Sequence, residues 1–367
     1  MITTTTARCA SIQAQMAEEG FDALLVCAPA DMAYVSSFRA KPFERLIAIV
    51  VPREGPLRAV VPSLEEDAAR SSLPEETELH VWRDEEGPRG ALQQCLAGLD
   101  GQIGVEKDYL TMAYFELAAS CLPQASFEDC GPLFSRLRAV KDAAELDALR
   151  RAAGVVDAAL ARLIAEELRP GRTEAELAAA AATFLREAGG DGLAFDPAVL
   201  TGARSALPHG APDGTEVAAG DLVIVDIGAS VGGYCADITR TLVVGAEPDS
   251  RQRELFEVVR EAQAAGIQAA VEGALCSDVD RAARSVIEAA GLGPHFVHRT
   301  GHGLGLEVHE PPYLTSTNQE PLRAGMVVTI EPGVYLEGYG GVRIEDDLVV
   351  RAGEAELLTH APARLEP

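Results

Sequence analysis

Residues 220–241, G-D-L-V-I-V-D-I-G-A-S-V-G-G-Y-C-A-D-I-T-R-T, constrain this chain more than any other stretch. Residues 222–227 are an apolar, β-branched run of strand length, and 234–244 are a second. The glycine-rich 228–233 between them reads as a hairpin turn. The midpoint between Asp226 and Asp237 falls inside that turn, so the two acids are expected directly opposite each other. Opposed residues in an antiparallel pair have Cβ atoms about 4.5–5.5 Å apart. Two carboxylates so close among apolar neighbours repel each other and lose solvation. A divalent cation between them removes the conflict.

The same pattern occurs twice. Ala219-Gly220 precedes Asp226 as Ala324-Gly325 precedes Glu331, and A-G-M-V-V-T-I-E-P-G-V echoes A-G-D-L-V-I-V-D-I-G-A. A returning strand over 341–350 carries Glu345 where the first hairpin carries Asp237, with E-G-Y-G-G as the turn. Pro332 interrupts the strand and loosens the second register. Acids are common on surface hairpins, and any one of these alone reads as a solvated side chain. Four at matching places, flanked by Ile, Val and Thr, read as a metal site.

With 367 residues the chain exceeds one ordinary core, which implies two domains. Residues 1–136 carry short strands (F-D-A-L-L-V-C-A, L-I-A-I-V-V-P, L-R-A-V-V-P, Q-I-G-V-E) alternating with helical stretches, an α/β layer pattern without a catalytic cluster. His80 and Trp82 within it read as surface or interface residues. Residues 137–367 begin with a capping box at Asp142 and Glu145. Apolar positions then recur at Leu146, Leu149, Ala153, Val156, Leu160 and Leu163, and Thr173 with Glu176 caps a second helix. Helices near 251–271 and 278–290 precede the second pair of strands. The second domain is therefore expected to be α+β: two helix–helix–hairpin copies about a pseudo-twofold axis, with helices covering a curved antiparallel sheet and the acids between the copies.

A net charge of −26 argues against nucleic acid and anionic membrane as partners. No apolar run reaches membrane length, and the N-terminal M-I-T-T-T-T-A-R-C-A-S lacks a signal-peptide core, so a cytoplasmic location is expected. Seven cysteines without C-x-x-C fit reduced thiols, and Cys235 reads as core. Only Lys41, Lys107 and Lys141 represent lysine, a bias attributable to a GC-rich coding sequence.

Four of the seven histidines fall in H-F-V-H-R-T-G-H-G-L-G-L-E-V-H. His302, between Gly301 and Gly303, is the natural nitrogen ligand, small neighbours letting the backbone approach an ion. A lone histidine is more often a hydrogen-bonded structural residue, but beside four carboxylates it completes a ligand set. Asp226, Asp237, His302, Glu331 and Glu345 carry the charge to balance two divalent ions. An oxygen-rich set with one imidazole suits Mn²⁺, with Co²⁺, Zn²⁺ or Fe²⁺ as other candidates.

These motifs resemble the creatinase/prolidase/methionine-aminopeptidase metallopeptidases, family M24 with the pita-bread fold. The matching residues are D-I-G at Asp226, D-I-T-R-T at Asp237, T-G-H-G-L-G at His302, V-H-E at His309, T-I-E-P-G at Glu331 and G-V-R-I-E-D at Glu345. Residues 1–136 resemble the family's N-terminal domain, and L-R-A-V-K-D-A-A-E-L resembles its interdomain helix. The branch indicated is that of the Xaa-Pro aminopeptidases and dipeptidases. The resemblance assigns Asp226 to one metal, His302 and Glu331 to the other, and makes Asp237 and Glu345 bridging ligands. It implies that a metal-bridging hydroxide attacks the Xaa-Pro bond. It makes Glu331 the proton shuttle, His209 and His309 the groups that bind substrate and stabilise the tetrahedral intermediate, and His298, Tyr335 and Arg343 the proline-side pocket. Packing accounts equally for Tyr335 and His298, and charge compensation for Arg343. The partners expected are short peptides with proline second, and another copy of the chain as a homodimer.

Rival readings are weaker. G-A-S-V-G spells the serine-hydrolase elbow, but a strand rather than a helix follows it. G-H-G-L-G lacks the helix of a dinucleotide loop. A binding module of the same fold would lack the full ligand set, whereas a hydrolase of another C–N bond would share it. Substrate length turns on a cation for the proline carboxylate. The loop H-E-P-P-Y-L-T-S-T-N-Q-E-P-L-R offers none before Arg323, which reads as a surface residue. An aminopeptidase accepting tripeptides and longer chains is therefore expected, with a strict dipeptidase as the alternative.

Overall fold

The structure is a computed structural model describing residues 5–40 and 44–366; Lys41 and the start of the N-terminal stretch lie outside the described residues. The chain divides into two compact units, Met1–Arg138 and Ala139–Pro367.

In the first unit, strands β1 (Ala23–Val26), β2 (Ala48–Pro52), β3 (Arg58–Pro62), β4 (Glu78–Trp82), β5 (Gln102–Val105) and β6 (Ser126–Asp129) form one sheet in the order β4-β3-β2-β1-β5-β6. The β1–β2 and β2–β3 pairs are antiparallel and the others parallel. Helices α1 (Thr5–Glu19), α2 (Pro29–Ser36), α3 (Glu66–Ser72), α4 (Arg89–Cys95), α5 (Met112–Cys121) and α6 (Gly131–Ala139) accompany it. Leu25, Val50, Val60, Leu92 and Ile103 make its core. Trp82 belongs to that core rather than to the surface: it is 5% exposed, and its indole N–H donates to the Leu46 carbonyl at 3.1 Å. The apolar ring wins over the strand-edge position because its one polar atom is satisfied.

This unit buries an acid pair. Glu106 Oε2 accepts the Cys27 and Ala28 N–H groups at 2.6 Å each, while Asp31 pairs with Arg138 at 2.8 Å. Burial first, then the Asp31 carboxylate, hold the Glu106 carboxyl well above its ordinary range. A raised folded-state pKa gives stability that is complete below the unfolded value and is lost as pH rises through the folded one. Glu106→Gln keeps an acceptor for the two amides and cannot ionise. Thermal melts should therefore show the variant matching the native protein near pH 5 and exceeding it by a few degrees, roughly 1 kcal/mol, near pH 9. Lower stability at both pH values would refute the protonated state.

In the second unit, α7 (Ala143–Glu166) starts at the expected Asp142/Glu145 capping box, and α8 (Glu174–Glu187) starts at that of Thr173 and Glu176. Leu146, Leu149, Val156, Leu160 and Leu163 of α7 are buried with Val223, Val225 and Ile238 from the adjoining sheet. Strands β7 (Gly192–Leu193), β8 (Ala198–Thr201), β9 (Leu222–Val231) and β10 (Tyr234–Val243) follow. Helices α9 (Ser250–Ala269) and α10 (Cys276–Ala289) repeat the arrangement. They lead to β11 (Gly301–Gly303), β12 (Glu310–Leu314), β13 (Val327–Ile330), β14 (Gly333–Leu336), β15 (Gly340–Arg343), β16 (Asp346–Val349) and β17 (Glu356–Leu357). The antiparallel sheet β12-β11-β13-β16-β17 and the sheet built on β9–β10 meet at a bridge between Thr239 and Glu345. No disulfide joins the seven cysteines among the described residues, and Cys235 is buried.

The first hairpin differs from its expected register. β9 continues to Val231, leaving Gly232 and Gly233 as a two-residue turn with φ of 59° and 78°. Positive φ at both positions is what a type I′ hairpin requires. Asp226 then pairs with Thr239 and Asp237 with Gly228, so the acids are diagonal rather than opposed. They still share a face, because the offset is two residues. In the second hairpin Ile330 pairs with Asp346 and Gly333 with Arg343, one register across the Pro332 interruption. Glu331 and Glu345 thus face each other where the ladder is broken.

Candidate metal centre

A cavity of about 610 Å³ is lined by all ten residues singled out above: Asp226, Asp237, His302, Glu331 and Glu345, with His209, His298, His309, Tyr335 and Arg343. Among them, donor atoms of Asp237, His302 and Glu345 lie within 4.8 Å of one another. His209 and His309 are exposed at the rim, and the other eight are buried or half-buried.

Glycine places the imidazole, though not by admitting an ion. A Cβ on Gly301 would lie 1.9 Å from the Thr329 carbonyl oxygen, and one on Gly303 would lie 2.5 Å from that of Pro311. What approaches is the neighbouring strands, so β11 can carry His302 between β12 and β13. Gly228, across from Asp237, is likewise closed by the Phe195 ring, 2.3 Å from where a Cβ would stand.

The electrostatics of the centre fit a bound cation. Burial, then Glu345 and Asp226, push Asp237 well above the usual carboxylate range, and burial, then Glu331, do the same to Glu345. Burial pushes Glu331 up to about 7. Asp226 Oδ1 and Asp237 Oδ1 are buried with no hydrogen-bond partner, a state that ordinarily costs about 1–3 kcal/mol each. His302 Nδ1 lies 3.1 Å from the Gly303 carbonyl, to which it can only donate, so Nε2 carries a lone pair. That lone pair faces Glu331 Oε1 at 3.3 Å. Two acceptors in that position repel unless a proton or a cation lies between them. Burial lowers the His302 pKa to about 3, so the imidazole is neutral, as a ligand must be. Orphaned oxygens, raised carboxyls and a neutral imidazole together fit a divalent metal.

A second network supports the acids. The Arg343 guanidinium donates to Tyr335 Oη at 2.8 Å, to Thr239 Oγ1 at 3.1 Å and to Asp226 Oδ2 at 2.6 Å. Thr239 Oγ1 in turn donates to Glu345 Oε2 at 2.6 Å. His298 Nδ1 donates to the Arg299 carbonyl at 2.7 Å, so its Nε2 accepts the Tyr335 hydroxyl at 2.9 Å. Burial lowers the His298 pKa to about 4, consistent with that neutral tautomer. Arg343 therefore does offset an acid, and Tyr335 and His298 are tied to it rather than merely packed.

Four residues were missed in the sequence. Thr239 sits two places beyond Asp237 on β10, where alternation puts it on the same face, and Asp347 lies two places beyond Glu345, which immediately precedes β16. Asp347 Oδ2 accepts the Asp237 N–H at 3.0 Å, and its own carboxyl is held well above the usual range, first by burial. Phe195 and Arg299 line the cavity from loops, and no period in the sequence marks them. Arg299 lies over the Tyr313 ring at 4.4 Å and forms no ion pair among the described residues.

Two helix–helix–hairpin copies around a carboxylate-and-imidazole centre define a metal-dependent hydrolase of the pita-bread class. Residues 147–352 match metallopeptidase family M24, and residues 8–140 match the Creatinase/Prolidase N-terminal domain. The chain belongs to metallopeptidase family M24. It is 38% identical over 363 residues to a probable dipeptidase, PepE, of Mycobacterium tuberculosis, covering 98% of this chain and 95% of the relative. Its structure resembles a prolidase from Thermococcus sibiricus, with a TM-score of 0.93, 36% identity and 98% of each chain covered. It also resembles an X-Pro aminopeptidase from Thermotoga maritima, with a TM-score of 0.88, 32% identity, and 98% and 99% of the two chains covered. No helix among the described residues is long and apolar enough to cross a membrane.

Proposed function

We propose that the chain hydrolyses the Xaa-Pro bond of dipeptides, with two divalent ions, Mn²⁺ before Co²⁺, Zn²⁺ or Fe²⁺. Asp226 would hold one ion, His302 and Glu331 the other, and Asp237 and Glu345 both. When bound, the ions supply Lewis acidity and lower the pKa of water. The rest falls to the chain's own side chains. Glu331, beside His302, would carry a proton to the leaving nitrogen. His209 and His309 at the rim donate hydrogen bonds to the substrate and to the oxyanion. A peptide bond before proline has no N–H, so recognition must come from the pocket rather than from strand-like pairing.

The observation that favours the dipeptide is Arg299. The expectation of longer peptides rests on the lack of a cation in the loop after His309, but Arg299, a guanidinium without an ion-pair partner that precedes β11 in the chain, also lines the cavity. Folding brings to the site a charge that the loop lacks. The proline carboxylate is the anion that such a group would take. The test compares Ala-Pro, Ala-Pro amide and Ala-Pro-Ala on Mn²⁺-loaded protein. Ala-Pro should be cleaved at least tenfold faster than the amide, about 1.4 kcal/mol, and Arg299→Leu should abolish that difference. Equal rates on Ala-Pro-Ala, unaffected by Arg299→Leu, would instead support the aminopeptidase reading.

A further inference from the structure

His209 reaches the cavity from an excursion between β8 and residue 213 that opens with a 3₁₀ turn over Gly202–Ala206 and contains no strand. What fixes that excursion is a fully buried carboxylate on a different element. Glu174, the first residue of α8, is 0% exposed. Its Oε1 accepts the Thr201 N–H at 2.8 Å, where the excursion begins, and its Oε2 accepts the Asp213 N–H at 3.1 Å, where it ends. From inside the excursion, Arg204 Nε donates to both Glu174 oxygens at 3.1 and 3.0 Å, and the same guanidinium donates to the Ala211 carbonyl at 2.6 Å. One side chain thus closes a 13-residue loop at both ends and through its middle. A buried charge persists only when paired and hydrogen-bonded, and here every partner belongs to the loop.

A second tie joins this loop to the strands behind the metal site. Ser205 Oγ accepts the Gly341 N–H at 2.9 Å, and a Cβ on Gly341 would lie 2.3 Å from the Ser205 carbonyl oxygen. Gly341 lies in β15, which carries Arg343.

We infer that Glu174 is a positioning residue for His209: its carboxylate, with Arg204, sets the loop that holds this imidazole at the substrate. The inference rests on the proposed reading that His209 binds the substrate. Glu174→Gln keeps one acceptor and turns the other into a donor facing an amide N–H, while the Thr173/Glu176 cap remains. In the Mn²⁺-loaded enzyme it should leave metal content unchanged and lower kcat/KM on Ala-Pro by about tenfold, the scale of one charge-assisted hydrogen bond. His209→Ala should lower it further, and adding Glu174→Gln to that variant should cost no more than about twofold. A full multiplicative loss in the double variant, or loss of metal, would overturn the inference. Amide hydrogen exchange over 202–212 reads the loop without reference to catalysis. It should quicken in Glu174→Gln, and unchanged exchange would also overturn the inference. If His209→Ala alone leaves Ala-Pro hydrolysis intact, the substrate-binding role is what fails, and the exchange result still decides the positioning. Should Glu174→Gln not fold, Arg204→Lys, at a side chain 29% exposed, carries the same comparison.

Discussion

Asp237→Asn is expected to abolish hydrolysis, by ~10³-fold or more, about 4 kcal/mol in the barrier. Asp237 is 5% exposed, has an orphaned Oδ1, and shares one face with Asp226 and one donor cluster with His302 and Glu345. If Asp237 bridges two ions as proposed, an amide would remove half a unit of charge from each and offer one weak oxygen in place of two. Elemental analysis should find bound metal reduced. The metal-free variant should meanwhile be at least as stable as the metal-free native protein at neutral pH. The native carboxyl is raised far above its unfolded value, so its ionisation costs stability as pH rises, and the amide removes that cost. A variant that unfolds without metal would show Asp237 to be structural. One that keeps more than about a tenth of the rate, about 1.4 kcal/mol, would contradict a ligand to both ions.

His309→Ala should do the opposite: keep the metal and lose the rate by ~10²–10³, as removal of one oxyanion donor does. The His309 ring stands edge-on to that of His302, with centroids 4.2 Å apart, yet it lies at the exposed rim rather than in the buried donor cluster. Partial burial, then Arg299, lower its pKa, so the ring is a neutral donor at pH 7. KM should change less than kcat, because the bond forms with the developing oxyanion rather than with the ground-state carbonyl. Loss of metal from this variant would show that the ring belongs to the ligand set. A rate within threefold of native would remove it from catalysis.

Much of the catalytic unit was legible because its signals are local. Capping boxes at Asp142 and Thr173, the 3–4 spacing along α7 and the alternation in β9 and β10 depend on neighbours within a few residues. The hairpin register differs by two residues from the expected one, because the sequence does not say whether G-A-S-V continues the strand or joins the turn. Pairing with β7, at Gly192↔Ser230 and Leu193↔Ala229, extends the strand from outside. Trp82 was misplaced for a similar reason: its burial depends on the Leu46 carbonyl, 36 residues away in the chain.

The sequence alone determined the two repeated hairpins, the four acids and the imidazole, and with them the expectation of a metal site between two related halves. Each of these follows from residue type and short-range period, which the chain carries wherever it folds. Only the tertiary structure decided which charges meet at the cavity. Arg343 and Asp226 are 117 positions apart, Thr239 and Glu345 are 106, and Arg204 turns to Glu174 across 30. Partners so distant in sequence are chosen by packing, because a buried charge must find its counterpart wherever the strands and helices happen to bring one.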